Sequence, residues 1–345
     1  MSGGTVLRVP EPECRMGYFL GVDGGASSTS CAVCDDDGAV LGIGRGYASN
    51  HILAPGGRER ARAAVGGAIQ AALRAAGLGT IEYRAVQFGM TGIVAGSERA
   101  DAFAEVAADL LKAETVLIHE DSWIALAGAL ACGPGVMVIA GTGSIAVGLD
   151  PDGRVARAGG WGYLFGDDGS AFALGRGGVH AALHARDGTG PDTDLVKRIP
   201  AAVGMDLAAI TWEYYQGRLD RAVIARLAAV VTESAAAGDP VARRLVEEAA
   251  TALANLAAAV THRLHWPDGA TAVAPVGGVF DAGATILHPL REALASRAPG
   301  AVLVPPRYDP AAGALLLALR AAGVPHTPER LALLAATWEL RSTAP

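Results

Sequence analysis

The amino-acid sequence predicts an α/β protein built from two similar lobes. Two glycine-rich turns support this prediction, Gly-Val-Asp-Gly-Gly at 21–25 and Ala-Gly-Thr-Gly-Ser at 140–144, and each follows a short apolar run with strand character. The order of the expected elements is the second observation. Strands followed by alternating helices and strands begin at residue 18, and the same order begins again at residue 136. A duplicated architecture explains why the glycine turn occurs twice.

The first expected lobe, residues 16–120, opens with antiparallel strands and continues with alternating helices and strands. Alternating apolar residues and the turn Asp-Asp-Asp-Gly at 35–38 predict a hairpin at its start. We expect strands at 18–22, 30–34, 39–44, 85–88 and 115–119, and helices at 57–76 and 100–112.

The second expected lobe, residues 121–325, repeats this order with a longer helical part. We expect strands at 136–140, 145–149, 155–158, 271–276 and 301–304. A helical tract at about 168–262, interrupted by a polar loop at 187–193, and a helix at 309–322 complete the lobe. A last helix, within residues 326–345, carries apolar residues that predict packing back on a lobe.

The composition favours a folded protein with a large core. Of the 345 residues, 51% are hydrophobic and 18% are charged, which argues against disorder. The net charge of −7 argues against a nucleic acid or an anionic membrane as the partner. No apolar run approaches the ~20 residues of a membrane helix, and Met1–Arg15 lacks the apolar segment of a signal peptide. We therefore expect a cytoplasmic protein whose four cysteines are free thiols.

Two residue pairs with metal-ligand spacing have a simpler interpretation. Cys31 and Cys34 lie on an expected strand, where residues three apart point to opposite faces, so packing is favoured over a metal or redox role. His180 and His184 lie four apart on an expected helix, but no adjacent glutamate or cysteine completes a metal site. We expect two partly exposed histidines there.

The chemistry of the glycine turns indicates nucleotide binding. Glycine allows backbone N–H groups to approach phosphate oxygens without a Cβ in the way. Asp23 ends the first strand, where a carboxylate can hold Mg²⁺, directly or through water, against those phosphates. Two such turns, well separated in sequence, favour two lobes that close on one phosphate chain. The sequence thus predicts a nucleotide-dependent enzyme with its site in the cleft between the lobes.

Eight short motifs between residues 17 and 322 carry a resemblance to a known family. They are Gly21-Val-Asp-Gly-Gly25, Ser49-Asn-His51, His119-Glu-Asp121, Ala140-Gly-Thr-Gly-Ser144, Gly159-Gly-Trp-Gly162, Gly166-Asp-Asp-Gly-Ser170, Gly277-Gly278 and Asp309-Pro-Ala-Ala-Gly-Ala314. With them the chain resembles the BadF/BadG/BcrA/BcrD-type ATPases and, within them, the N-acetylglucosamine kinases of the actin/hexokinase superfamily. The resemblance implies two RNase H-like (actin-like ATPase) lobes with a nucleotide/sugar cleft between them.

The resemblance also implies roles for individual residues, with ATP and Mg²⁺ as cofactors and an amino sugar as substrate. Asp121 matches the catalytic base. The residues that match the sugar site are Asn50, Ser144, Trp161, Gly162 and Asp167. The two phosphate loops correspond to Gly24, Gly25 and Ser27 and to Gly141, Thr142 and Gly143, and the adenosine side corresponds to Gly277 and Gly278. A homodimer is the expected assembly.

Structural roles compete with these functional ones. Asp121 precedes an apolar helical run and can cap it, a role compatible with catalysis. One of Asp167 and Asp168 is expected to cap the next helix, and we favour Asp168. Trp161 could instead be an ordinary core residue, and Asn50 a loop residue without a function. Glu120 is either a neighbour of the base or an alternative to it as the catalytic acid.

The expected reaction transfers the γ-phosphoryl group of ATP to a sugar hydroxyl, and O6 is the hydroxyl that we expect to accept it. N-acetylglucosamine or a close relative is the expected acceptor, with glucosamine, N-acetylmuramic acid and glucose as alternatives. Two other functions stay open on the same fold. One is an ATPase that activates a radical dehydratase through a cysteine-bound iron–sulfur cluster, and the other is a non-catalytic sugar sensor.

Overall fold

The computed structural model describes residues 17–25, 28–49, 51–94, 96–267 and 269–342. The chain forms two compact units. The first consists of two segments, the residues up to Ile124 and those from Pro310 onward, and the second is Ala125–Asp309. These limits differ from the lobe boundaries expected after residues 120 and 325, because helix packing returns the C-terminal residues to the first unit.

The elements follow one another as the strand and helix patterns predict, with small shifts at their ends. The strands are β1 (Tyr18–Gly24), β2 (Ser28–Asp35), β3 (Val40–Tyr47), β4 (Glu82–Met90), β5 (Lys112–Glu120), β6 (Gly135–Ala140), β7 (Ser144–Leu149), β8 (Val155–Gly159), β9 (Thr271–Val276) and β10 (Ala301–Leu303). The α-helices are α1 (Gly57–Ala75), α2 (Glu98–Leu110), α3 (Asp121–Ala129), α4 (Ala171–Arg186), α5 (Leu195–Val203), α6 (Leu207–Tyr215), α7 (Arg221–Ala236), α8 (Pro240–Arg263), α9 (Ala284–Arg297), α10 (Pro310–Ala321) and α11 (Pro328–Ser342). A short 3₁₀ helix, Gly278–Ala282, follows β9.

Each unit contains a five-stranded sheet of the same topology. The first sheet has the order β3-β2-β1-β4-β5 and the second the order β8-β7-β6-β9-β10. In both sheets the first three strands pair antiparallel, whereas the fourth and fifth run parallel to the central strand. The predicted α/β fold with two similar lobes is confirmed, and the shared topology is the reason that the glycine turn recurs at the end of each central strand.

Apolar residues of the strands and of the adjoining helices form the core of each unit. In the first unit, the Phe88 ring of β4 meets the Phe103 ring of α2 edge to face, with centroids 5.2 Å apart. Helix α10 packs on β1 and β4. Helix α11 lies against β3, where the Val40 backbone N–H donates to Thr337 Oγ1 at 2.9 Å. These two helices account for the return of the chain to the first unit.

The helical part of the second unit is more divided than the sequence pattern predicted. The expected tract at 168–262 with one interruption is wrong, because five helices, α4 to α8, occupy it. Gly204, Gly217 and Gly238 follow three of these helices with positive φ angles of 74°, 69° and 104°. Glycine adopts this conformation at little cost, and such residues commonly end helices.

The cysteine and histidine pairs have no metal-binding arrangement in the described part of the chain. Cys31 and Cys34 are free and fully buried, and burial raises the pKa of both thiols. The rings of His180 and His184 are exposed and lie 4.2 Å apart. Residues 17–25, 28–49, 51–94, 96–267 and 269–342 contain no cluster of three or more His, Cys, Asp or Glu suited to a metal. None of the described helices is long and apolar enough to cross a membrane.

Candidate active site

The carboxyl ends of β1, β4 and β5 meet at one edge of the first sheet, because these strands run parallel. Asp121 follows β5 directly, and its carboxylate has two donors. The Thr91 hydroxyl donates to Asp121 Oδ2 at 2.6 Å, and the Ser122 backbone N–H donates to Asp121 Oδ1 at 2.9 Å. These bonds fix the plane of a half-buried carboxylate, that of the residue predicted to be the catalytic base.

Thr91 also joins this carboxylate to the first glycine turn. Its backbone N–H donates to the Gly24 carbonyl at 2.9 Å, while its side chain donates to Asp121. The turn itself is closed by the Gly25 N–H, which donates to the Ser28 carbonyl at 2.9 Å. The structure therefore brings the predicted base and the predicted phosphate turn of the first unit into one hydrogen-bonded group.

The remaining predicted residues of the first unit have different outcomes. Asp23 lies near the end of β1, in register with Gly89 of β4, and is half-buried. Ser27 and Asn50 lie outside the described residues. Asp121 is also the first residue of α3, so it lies both at the end of strand β5 and at the N-terminus of a helix.

Thr91 and Gln87 are polar residues that the sequence analysis did not name, and His119 was named there only as part of a motif. His119, two residues before Asp121, has Nδ1 3.1 Å from Gln87 Nε2. Burial lowers the pKa of His119 below its usual value, which favours the neutral form of the ring. The parallel register of β4 and β5 pairs Met90 with Glu120, so that the residues that follow, Thr91 and Asp121, lie side by side. This register is a property of the folded sheet, and no sequence pattern indicates it.

The second glycine turn, at the end of β6, is closed by Asp167. Asp167 Oδ1 accepts a hydrogen bond from the Ser144 N–H at 3.2 Å, and a Cβ on Gly143 would lie 2.9 Å from Asp167 Oδ2. The Ser144 hydroxyl donates to the Asp168 carbonyl at 2.8 Å. Asp167 is buried and has a φ of 60°, a left-handed conformation that is uncommon outside glycine. The second glycine turn and the segment that carries Asp167 and Asp168 are thus joined by hydrogen bonds.

The loop after β8 is tied to the same turn. The Gly160 N–H donates to the Ser144 carbonyl at 2.9 Å, and the Gly166 N–H donates to the Gly162 carbonyl at 2.8 Å. The Trp161 side chain is 76% exposed, so it is not a core residue. The second unit therefore gathers the segments that carry Ser144, Trp161, Gly162 and Asp167.

Helix α4 begins at this turn, and its cap differs from the one expected. Ser170 is the cap, since its hydroxyl accepts from the Ala173 N–H at 3.1 Å. The preference for Asp168 was wrong: its backbone carbonyl accepts the Ser144 hydroxyl, and Ser170 directly precedes the helix. The Ala171 N–H donates to the Gly141 carbonyl at 2.8 Å. A helix N-terminus beside a glycine turn favours anions.

A cavity of about 560 Å³ in the second unit is lined by Gly141, Thr142 and Gly278. This volume lies within the range of about 300–1,000 Å³ that is common for small-molecule sites. The cavity joins the second phosphate turn to the segment predicted for the adenosine side. Further polar side chains line it that no motif indicated: Arg226, Thr232, Glu233 and Asp281.

The backbone around this cavity is suited to a nucleotide. A Cβ on Gly141 would meet nothing within 4 Å, so the backbone there faces open space that a phosphate can approach. Gly277 has a different function: with a φ of 111°, its Cβ position lies 2.6 Å from the Ala140 carbonyl oxygen. Gly277 is therefore required for close packing on the end of β6.

Comparison with known proteins identifies the family. The model of the BadF/BadG/BcrA/BcrD ATPase family matches residues 20–318. The chain belongs to this family. The resemblance seen in the sequence is confirmed, and the glycine turns of this family member lie at the two strand edges described above.

Relatives of this ATPase family member include named sugar kinases. An N-acetylmuramic acid/N-acetylglucosamine kinase of Clostridium acetobutylicum is 29% identical over 88% of this chain and 98% of its own length. An N-acetyl-D-glucosamine kinase of Dictyostelium discoideum is 28% identical over 87% of this chain and 97% of its own. The crystal structure of a candidate N-acetylglucosamine kinase from Chromobacterium violaceum shares 31% identity, covers 88% of this chain and 99% of its own, and has a TM-score of 0.70.

Proposed function

We propose that this protein is an ATP-dependent amino-sugar kinase that transfers the γ-phosphoryl group of ATP to a hydroxyl, O6 in the first place, of N-acetylglucosamine or a close relative. The observation that carries the proposal is the Asp121 carboxylate, oriented by Thr91, which also binds the first glycine turn. A base linked to a phosphate turn is the arrangement that phosphoryl transfer to a hydroxyl requires. The names of the curated relatives support the choice of amino sugars.

In the proposed reaction, Asp121 accepts the proton of the attacking sugar hydroxyl. The sugar oxygen forms a bond to the γ-phosphorus as the bond from that phosphorus to the β-phosphate oxygen breaks, which yields a sugar phosphate and ADP. Because Thr91 and Ser122 each donate to one carboxylate oxygen, the carboxylate keeps a fixed orientation toward the hydroxyl.

We assign the nucleotide to the glycine turns. The turns that contain Gly24, Gly25 and Ser27, and Gly141, Thr142 and Gly143, would surround the phosphates, and Gly277 and Gly278 would flank the adenosine side. The Gly25 and Gly141 N–H groups close these turns by donating to the Ser28 and Gly143 carbonyls, so these two residues would contribute close approach of the backbone. The open space beside Gly141 and the adjoining cavity support this assignment. Asp23 is the ligand proposed for Mg²⁺, directly or through water. When bound, Mg²⁺ would neutralise phosphate charge.

We assign the sugar to Asn50, Ser144, Trp161, Gly162 and Asp167. An exposed indole offers an apolar face to a sugar ring, and Asp167 Oδ2 is a candidate acceptor for a sugar hydroxyl. A cytoplasmic homodimer completes the proposal. The segment that carries three of these residues is bound to the second glycine turn, which supports adjacent sites for sugar and phosphate.

The test is ADP release from Mg-ATP with N-acetylglucosamine, glucosamine, N-acetylmuramic acid, glucose or no sugar. The proposal requires that at least one amino sugar stimulates turnover well above the sugar-free rate and that the product is a sugar phosphate. Turnover that is equal with and without every sugar would instead favour an ATPase activator, and binding without turnover would favour a sensor.

Gly141→Ala tests the phosphate assignment. The added methyl group has open space in the free protein, so we expect unchanged thermal stability but a KM for ATP raised about tenfold, because the methyl group would occupy the approach of a phosphate. Gly277→Ala is the matched comparison, since its Cβ would clash with the Ala140 carbonyl and lower the melting temperature. An unaltered KM for ATP in Gly141→Ala would contradict the assignment.

Thr91→Val tests the positioning of the base. Valine keeps the shape of threonine but removes the hydroxyl that donates to Asp121, so we expect kcat to fall about tenfold with little change in the KM for sugar. Thr91→Ser restores the donor and should recover most of the rate. If the valine and serine variants have equal kcat, the hydroxyl does not position the base.

A further inference from the structure

A second cavity in the second unit is lined by none of the predicted nucleotide and sugar residues. Its volume is about 720 Å³, and it lies between α4, the loop that follows α4, and α8. Helix α4 begins at the second glycine turn, but the cavity is lined by its later residues Arg176, His180 and His184. At 1.5 Å per residue, His184 is about 20 Å along the helix from Ala171.

One wall of this cavity is a row of nitrogen donors. Arg176, His180 and His184 are spaced four residues apart, so they lie on one face of α4. Arg176 and His180 also line a neighbouring cavity with Tyr214, on whose hydroxyl the Arg176 charge acts. Thr189 Oγ1 lies 3.0 Å from His184 Nδ1, which orients that ring and leaves Nε2 for another partner. Within the part of the chain that the structure describes, His184 Nε2 is therefore available to a ligand.

The opposite wall, which carries Arg244 and Glu248, and the floor, formed by Gly177 and Leu245, complete a site for a small molecule. Arg244 and Glu248 of α8 form a loose ion pair, with 3.7 Å between Nε and Oε1. Glu248 is the acid among the lining residues, so the two arginines give a cationic excess even with both imidazoles neutral. Gly177 has its Cβ position 3.1 Å from Leu245, so a side chain there would crowd the space between the two helices.

We propose that this cavity binds a phosphorylated sugar, with the phosphate on Arg176, His180 and His184 and the sugar over the floor near Leu245. Guanidinium and imidazole N–H groups are strong donors to phosphate oxygens. The small and apolar floor suits a sugar ring, and the Arg244–Glu248 pair supplies a donor and an acceptor for hydroxyls. The phosphate part follows from the cavity, whereas the sugar part rests on the proposed function.

The test follows the histidine ring resonances by proton NMR, with the His180 and His184 signals assigned through His180→Gln and His184→Gln. The titrants are inorganic phosphate, N-acetylglucosamine 6-phosphate and unphosphorylated N-acetylglucosamine. We expect both phosphate compounds to shift the two signals to saturation, the sugar phosphate at lower concentration, and the free sugar to leave them unchanged.

Arg176→Gln should weaken phosphate binding at these signals about tenfold, since it removes a charge-assisted donor. Arg186→Gln is the matched control, because it removes the same charge from α4 outside the cavity and should leave the affinity unchanged. Signals that do not move at millimolar phosphate, or equal affinities in the two variants, would overturn the inference.

The two proposals fail separately. If no amino sugar is phosphorylated but the His180 and His184 signals still respond to phosphate and to Arg176→Gln, the anion site stands and the kinase proposal fails. If the kinase reaction occurs and the signals do not respond, only the anion site fails.

Discussion

In Asp121→Asn, we expect kcat for sugar-dependent ADP release to fall about a thousandfold, within the range that a general base contributes. Asparagine has nearly the volume of aspartate, and its carbonyl oxygen can still accept from the Thr91 hydroxyl or from the Ser122 N–H. The amide cannot accept the proton of the attacking hydroxyl. The loss should therefore be in kcat, with the KM values for sugar and ATP nearly unchanged.

The control for this variant is Asp101→Asn, in which an exposed carboxylate in the first turn of α2 is changed in the same way. It should retain the wild-type rate. Thermal unfolding of both variants separates a chemical loss from a loss of fold. If Asp121→Asn keeps a kcat within a few-fold of wild type, Asp121 is not the base and its role is at the start of α3.

The strands and their order were predictable because local sequence determines them. Short apolar runs that end in glycine turns occur twice, and the Asp-Gly turn after residue 34 closes a hairpin. The resulting sheets have the same order of strands. Helix boundaries in the second unit were also encoded, because Gly204, Gly217 and Gly238 mark helix ends, but the Ala-rich pattern around them is continuous enough to conceal the breaks.

The contacts within the candidate site were less predictable because they depend on neighbours distant in sequence. Thr91 reaches Asp121 only through the register of β4 and β5. Asp167 reaches Ser144 because its backbone has a left-handed φ, which a pattern of residues does not reveal. The side chains of α7 that line the cavity beside Gly141 come from a helix about 80 residues later, and that packing is decided by the whole unit.

A second large effect, on stability, is expected in the first unit. Gly42, Gly44 and Gly46 alternate along β3, so they lie on one face of the strand, where α1 packs. A Cβ on Gly44 would overlap the Ala68 carbonyl oxygen and the Ala72 backbone nitrogen of α1. Because these are backbone atoms, the helix must move as a whole to admit a methyl group.

We therefore expect Gly44→Ala to lower the free energy of unfolding by about 1–3 kcal/mol or more, the usual cost of overpacking. Gly67→Ala is the matched control: Gly67 is exposed on α1, and its Cβ would meet nothing within 4 Å. Alanine is the better helix former, so this variant should gain about 0.5–1 kcal/mol. Urea unfolding of the two variants measures both changes.

If Gly44→Ala lowers the free energy of unfolding and Gly67→Ala raises it, the effect lies in the contact between helix and sheet. A general preference for alanine would stabilise both variants, and a general loss of glycine flexibility in the unfolded chain would do the same. Only close approach of the α1 backbone to β3 predicts a loss at Gly44 and a gain at Gly67. If both variants shift the urea midpoint in one direction, the glycines of β3 do not set the distance between strand and helix.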